Sequence, residues 1–216
     1  MKHRLRITYS IDGPLRYTSQ LEQMSVWERS ARRAQLPLAY SQGFNPRPRI
    51  QIASALPVGF AARGEWVDLW LTERIPPGVV YHALQAQVPP GLGIVRVAEV
   101  DRREPALQSR LHAAEYTATV ETSLPGEEIR QRVADLLAAA SLPRERRGKS
   151  YDLRPLVEQL SIDEIDDGVV TLRMRLSARP GATGRPEEVL DALGWADDFF
   201  RITRQRIMLT EGNSKR

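Results

Sequence analysis

Between Arg29 and Arg49 the sequence sets five arginines and no acid, and it interleaves them with Tyr40, Phe44 and Asn45. A guanidinium pairs with a phosphate through a planar fork of donors, and an aromatic ring stacks on a base. A loop offering Arg29, Arg32, Arg33, Arg47 and Arg49 beside Tyr40 and Phe44 therefore suits a phosphate-rich, base-bearing ligand such as RNA. The same residues have a plainer use. The rings can pack beneath the loop, and the arginines can be solvated or complement the C-terminus of a helix. Both readings stay open at this level. A second basic stretch, SLPRERRGKSYDLRPL at 141–156, repeats the mixture with Arg147, Lys149, Tyr151 and Arg154.

For catalysis the sequence offers isolated residues only. Glu65 heads a strand near the Pro57-Val58-Gly59 turn and is a candidate carboxylate. Ser41 is a candidate nucleophile with no base evident beside it. Lys149, within Gly148-Lys149-Ser150, resembles the end of a phosphate-binding P-loop, but no glycine stands five residues earlier and the stretch follows a helix and not a strand. Asp152 and Arg154 suit an ion pair at least as well as a ligand site. His3, His82 and His112 are scattered, so no metal site is expected.

The elements that must hold these residues follow from periodicity. Ser19 with Glu22 three residues on is a capping box, and Leu21, Met24, Trp27, Ala31 and Ala34 recur at helical spacing, so a helix opens at Ser19 and stops before Pro37. Residues 3–11 alternate as a strand. Strands follow at 50–55, at 65–71 (Trp66, Asp68 and Trp70 on one face, Val67, Leu69 and Leu71 on the other) and at 92–100, with a helix at 79–88 between the last two. Residues 101–113 are polar and read as a linker. The pattern then repeats: a strand at 114–121, a helix at 123–140, strands at 157–165 and 168–177 about the Asp166-Asp167-Gly168 turn, a helix at 186–193 and a strand at 199–210. The expected class is α+β, with two tandem ferredoxin-like (βαββαβ) halves and antiparallel sheets. The domains are 1–100 with its basic loop at 36–49, and 114–210, with a frayed tail at 211–216. In each half the basic segment joins the first helix to the second strand.

The stretch RYTSQLEQMSVWERSARRAQLPLAYSQGFNPRPRI at 16–50, the following ALPVG, Glu65 and the later KSYDLRPLV together resemble the radical-SAM-linked family, bacterial proteins encoded beside or fused to a radical SAM protein. The resemblance is dense over the first hundred residues. It implies a radical SAM protein as partner, with S-adenosylmethionine and an iron–sulfur cluster held by that partner. It implies no activity for this chain. Where the family reads serine-histidine-leucine-aspartate at the helix start, this chain has Ser19-Gln20-Leu21-Glu22. An acid–base or metal role at that position is not implied here.

Composition narrows the classes. The 216 residues contain no cysteine, which removes disulfides, thiol catalysis and a thiolate-held cluster within this chain. No apolar run approaches the ~20 residues that span a bilayer, and the N-terminus reads as a strand and not a signal peptide, so a cytoplasmic location is expected. Net charge is +4, but residues 155–200 hold ten acids and four bases, so positive charge concentrates elsewhere. The reading these features support is a non-catalytic RNA-binding or substrate-presenting accessory protein working with a separate radical SAM enzyme. The alternatives are an RNA-processing or RNA-modifying enzyme, and an adaptor that binds only protein.

Overall fold

The computed structural model describes residues 3–146 and 148–210. The chain divides into two units: one runs to Leu111 and takes in the chain again from Leu209, and the other is His112–Met208.

In the first unit β1 (His3–Ile11) is followed by α1 (Gln20–Arg33), β2 (Ile50–Ile52), β3 (Ala61–Leu71), α2 (Pro77–Gln85) and β4 (Leu92–Glu99). Alternation along β1 buries Leu5, Ile7 and Tyr9 completely. β1 pairs antiparallel with β3, placing Leu5 opposite Leu69, and with β4, placing Ile7 opposite Val97. β2 pairs antiparallel with β3, placing Gln51 opposite Asp68. The strand order is therefore β4-β1-β3-β2. α1 covers the apolar face: the buried Trp27 ring meets Tyr9 edge-on at 4.9 Å. The other face carries Arg4 and Arg6 from β1, and Trp66, Asp68 and Trp70 from β3.

The capping box forms as the sequence dictates. The Glu22 backbone N–H donates to Ser19 Oγ, and the Ser19 backbone N–H donates to Glu22 Oε2 at 2.7 Å. The Ser19 backbone N–H foremost, and then the Ser19 hydroxyl, which donates to the same Oε2 at 2.7 Å, hold the Glu22 carboxyl below its ordinary range. β2 stops at Ile52, short of the expected Ala55, because the chain turns away after Ala53 donates its N–H to the Trp66 carbonyl. β3 starts at Ala61, four residues before Glu65, and pairs Ala62 with Ile11.

The second unit contains β5 (Leu111–Glu121), α3 (Gly126–Ala138), β6 (Pro143–Arg146), β7 (Lys149–Asp152), β8 (Val157–Asp166), β9 (Val169–Arg179), the two-residue β10 (Ala182–Thr183), α4 (Pro186–Ala192) and β11 (Phe200–Leu209). β9 pairs antiparallel with β8 and with β5. β5 also lies beside β11, where contacts from Glu121 to Phe199, Thr117 to Gln205 and Glu115 to Arg206 run in opposite chain directions. The order is β8-β9-β5-β11. Asp167 (φ 39°) and Gly168 (φ 77°) make the left-handed pair that a tight hairpin requires. Both units are thus mixed α+β on mostly antiparallel strands, with four α-helices among the described residues.

The 101–113 stretch, expected as a linker, is packed at its centre. Leu107 is fully buried at the start of a 3₁₀ turn, Leu107–Arg110. Arg4 donates from Nη1 to the Glu104 carbonyl at 2.6 Å and from Nη2 to the Pro105 carbonyl at 3.2 Å. The 211–216 tail lies outside the described residues.

Candidate nucleic-acid interface

The loop between α1 and β2 is shaped by backbone hydrogen bonds. After Arg33 the chain turns through Gln35 (φ 55°), and Leu36, Leu38 and Ala39 are buried. Leu38 bridges to Leu71, Ala39 donates its N–H to the Trp70 carbonyl, and Arg49 donates its N–H to the Ala39 carbonyl. Tyr40 then bridges to Pro48, the Ser41 N–H donates to the Arg47 carbonyl, and the Arg47 N–H donates to Ser41 Oγ at 3.0 Å. Residues 42–46 form the tip, with Gly43 at φ 138°, a conformation that favours glycine.

This closed loop presents Phe44 wholly exposed and Tyr40 39% exposed. Packing of Phe44 beneath the loop is thereby excluded. Asn45 and Arg47 are exposed at the tip and its exit. Arg33 and Arg47 have no ion pair among the described residues. Arg32 pairs with Glu28 at 2.7 Å, and Arg29 Nε donates to the Ser25 carbonyl at 3.3 Å, so these two are partly engaged by their own helix. The Arg49 guanidinium lies 4.9 Å from the centroid of the Trp70 ring, a cation–π contact that orients it while leaving its N–H edge open. Ser41 is committed to closing the loop. Glu65, on β3 opposite Tyr9, is 0% exposed.

The second basic stretch folds as the β6–β7 hairpin, with Arg144 opposite Tyr151 and Arg146 opposite Lys149. Lys149 is exposed; Arg147 lies outside the described residues. Arg154 donates from Nε and Nη2 to the Leu137 carbonyl and from Nη1 to the Val157 carbonyl, tying the end of α3 to the start of β8. Asp152 Oδ1 accepts from the Leu142 and Arg154 N–H groups, and these bonds, the Leu142 one foremost, hold its carboxyl below the ordinary range. Burial, with Glu188 next to it, raises the Tyr151 phenol. Of the residues named from sequence, the first loop brings together Tyr40, Phe44, Asn45, Arg47 and Arg49, with Arg33 ending the helix that leads into it. In the second basic stretch Tyr151, on the hairpin, and Arg154, just after it, are occupied by structural partners.

One cluster is not evident in the sequence. Asp68, fully buried, accepts from Arg4 Nε (2.9 Å) and Nη2 (2.6 Å), and from Arg6 Nε (2.9 Å) and Nη2 (3.1 Å). Arg6 and Arg110 also reach Glu104 Oε2, at 3.3 and 2.8 Å. Burial alone would lower the Arg6 guanidinium, but hydrogen bonding and attraction from Asp68, with Glu104 beyond it, raise it. A partial signal lies in the alternation of β1 and β3, which sets Arg4 and Arg6 on the face that carries Asp68. Among the described residues no cluster of three histidines or acids is placed to hold a metal ion, and no helix is long and apolar enough to cross a membrane.

Residues 4–186 match the sequence pattern of a family described as an uncharacterized protein conserved in bacteria (DUF2344). No curated protein sequence matches the chain. Among solved structures, a chain of a Cbf5-Nop10-Gar1 complex is similar over 95% of this chain and 50% of its own length, at 13% identity and a TM-score of 0.53. A chain of an H/ACA RNP bound to a substrate RNA containing 2′-deoxyuridine is similar over 93% of this chain and 47% of its own, at 12% identity and a TM-score of 0.49. The chain thus spans about half the length of these structures. At such identity the likeness is one of fold.

Proposed function

We propose, from the premise that this chain belongs to the bacterial DUF2344 family, that it is a non-catalytic RNA-binding accessory protein that holds single-stranded RNA through the loop between α1 and β2. One observation carries this reading: a loop closed by its own backbone hydrogen bonds displays a wholly exposed Phe44 three residues before Arg47, and neither Arg47 nor Arg33, at the end of the helix that leads into the loop, has an ion pair among the described residues. Water is a poor environment for an exposed ring on a constrained tip, whereas a base gives it a stacking partner and the flanking cations take the phosphates. Tyr40 and Asn45 add a second ring and an amide. Lys149, exposed on the β6–β7 hairpin, is a separate candidate for a phosphate contact. The fold that holds the loop is read as two tandem ferredoxin-like halves. The orders β4-β1-β3-β2 and β11-β5-β9-β8 support this, since each follows the same βαββαβ path through its sheet.

The partner in this proposal is a cytoplasmic radical SAM protein. It would hold both the S-adenosylmethionine and the iron–sulfur cluster, because this chain has no cysteine to bind one. Support for the partner comes from the sequence resemblance alone. The test is fluorescence anisotropy with a single-stranded RNA over a salt series. Changing Arg32, Arg33, Arg47 and Arg49 to Ser together should weaken binding and flatten the salt dependence, by ~0.7 in the logarithmic slope for each phosphate no longer held. Equal affinity of variant and parent at every salt concentration would overturn the proposal.

The exposed Phe44 also suits a protein-only adaptor. In that case Phe44→Ala weakens capture of the radical SAM partner and leaves RNA binding untouched. An enzyme acting through Glu65, Ser41 or Lys149 would instead turn over RNA without any partner.

A further inference from the structure

A groove of about 730 Å³ lies beside β2, and the loop residues described above, Arg49 excepted, do not line it. Its volume is in the range of small-molecule sites. Three arginines border it, and they differ in how far they are already engaged. Arg4 is 2% exposed and saturated by Asp68 and two carbonyls, so it is wall and not ligand. Arg49 and Arg102 are exposed and have no ion pair among the described residues. The acid in the lining, Glu104, is already held by Arg6 and Arg110. Two guanidiniums without counter-charge therefore face a groove whose own carboxylate is neutralised.

The remainder of the lining is not what a bare anion needs. Leu21, 79% exposed on the first turn of α1, and Met24 one turn on supply an apolar wall. Trp70, in contact with both Arg4 and Arg49 at 4.9 Å, gives a rigid floor. Gln108 fixes the far side: its Nε2 donates to the Ile52 carbonyl at 2.6 Å, and its Oε1 accepts from Gln51 Nε2. That contact also occupies an outward carbonyl of β2, which disfavours the addition of a peptide strand at this edge.

We infer that this groove binds a single nucleotide unit, its phosphate held by Arg49 and Arg102 and its base or sugar face laid against Leu21 and Met24. Two forked cations match one phosphate, and the apolar wall distinguishes a nucleotide from inorganic phosphate or a sugar phosphate. The unit is either a free nucleoside monophosphate or the phosphorylated end of an RNA strand, two sources of one chemistry. The inference stands apart from the loop reading, because mononucleotides are measured without RNA.

Titration calorimetry on the full chain tests it, with nucleoside 5′-monophosphates, inorganic phosphate, ribose 5-phosphate and unphosphorylated nucleosides as probes. The nucleotides should bind more tightly than any of the other three. Arg102→Gln should weaken nucleotide binding about tenfold or more, the worth of a charge-assisted contact, with an unchanged melting temperature because Arg102 is exposed. Leu21→Glu, another exposed change, should weaken it through like-charge repulsion. An oligonucleotide with a 5′-phosphate that outcompetes its unphosphorylated twin identifies a strand end as the source; failure of both to compete identifies the free nucleotide. Phe44→Ala should leave nucleotide binding intact, so failure of the loop reading and failure of this one are separable. Absence of nucleotide binding, binding indifferent to both Arg102→Gln and Leu21→Glu, or inorganic phosphate binding as tightly as nucleotides would overturn the inference.

Discussion

Asp68 accepts hydrogen bonds from two guanidiniums while fully buried, and both arginines come from the neighbouring strand β1. Removing one partner of a buried ionic group leaves the others uncompensated in low dielectric. Asp68→Ala should therefore destabilise the fold by ~3–5 kcal/mol in denaturant unfolding. Asp68→Asn, which keeps an acceptor, should cost less. A loss below ~1 kcal/mol for Asp68→Ala would mean the triad is solvated and loosely held. In the second unit Glu115 plays a related part. Arg206 binds it through Nε at 2.6 Å and Nη2 at 2.8 Å, and Arg175 through Nη2 at 2.6 Å. The Arg206 hydrogen bond foremost, then Arg175, holds the Glu115 carboxyl below its ordinary range against the opposing effect of burial. A carboxyl lowered in the folded state contributes stability that is present above the unfolded value of about 4.3 and is lost as pH falls through the folded one. Unfolding free energy should accordingly drop as pH falls below about 4.3, and Glu115→Gln should flatten that part of the profile. An unchanged profile in the variant would count against the pairing. The alternation of both strands makes the faces legible from sequence. Which charges meet is not legible there, because strand pairing and register join residues between 60 and 91 positions apart.

The elements with a local code are readable to within a few residues. Ser19 and Glu22 mark the start of α1 because the capping box is completed inside four residues, and Ser19→Ala should cost ~1 kcal/mol of stability in thermal or denaturant unfolding, with the fold retained. No change in the unfolding midpoint would show that the cap is redundant. Asp167-Gly168 marks a hairpin for the same reason, since its left-handed pair is set by the two residues themselves. The β6–β7 hairpin reads as a loop in the sequence. Its strands, Pro143–Arg146 and Lys149–Asp152, bury no apolar face, so no period of two shows through the charges. The 101–113 stretch misleads in the opposite sense. Its polarity resembles a linker, yet Leu107 is buried and the carbonyls of Glu104 and Pro105 are held by Arg4. Arg102 is hidden as a candidate ligand for that reason: a cation in an apparent linker has no surface to belong to. Tyr151 and Arg154 stand out in the sequence by type, whereas the partners that occupy them, Glu188 and the Leu137 and Val157 carbonyls, are set by tertiary packing.

For the molecule as a whole, a net charge of +4 is too small to bind RNA by bulk attraction, given the ten acids against four bases in residues 155–200. Affinity must then come from local contacts, and its two components respond differently to salt. Phosphate contacts release counterions, so each changes the slope of log affinity against log salt concentration by ~0.7 for a single strand. Arg32 is already paired with Glu28, so the flattening in the four-arginine variant should come mainly from Arg33, Arg47 and Arg49, roughly 2 in all if each meets one phosphate. Stacking on Phe44 releases no ions. Phe44→Ala should therefore lower RNA affinity by ~1–3 kcal/mol at every salt concentration and leave the slope unchanged. The ring is wholly exposed, so its removal takes nothing from the core, and the melting temperature of the free protein should stay put. A parallel downward shift for Phe44→Ala beside a flattened line for the arginine variant is the signature of a strand gripped by both phosphates and bases. A Phe44→Ala line superimposed on that of the parent, with the arginine line still flattened, would reduce the loop to a charge patch and leave the exposed ring to a protein partner.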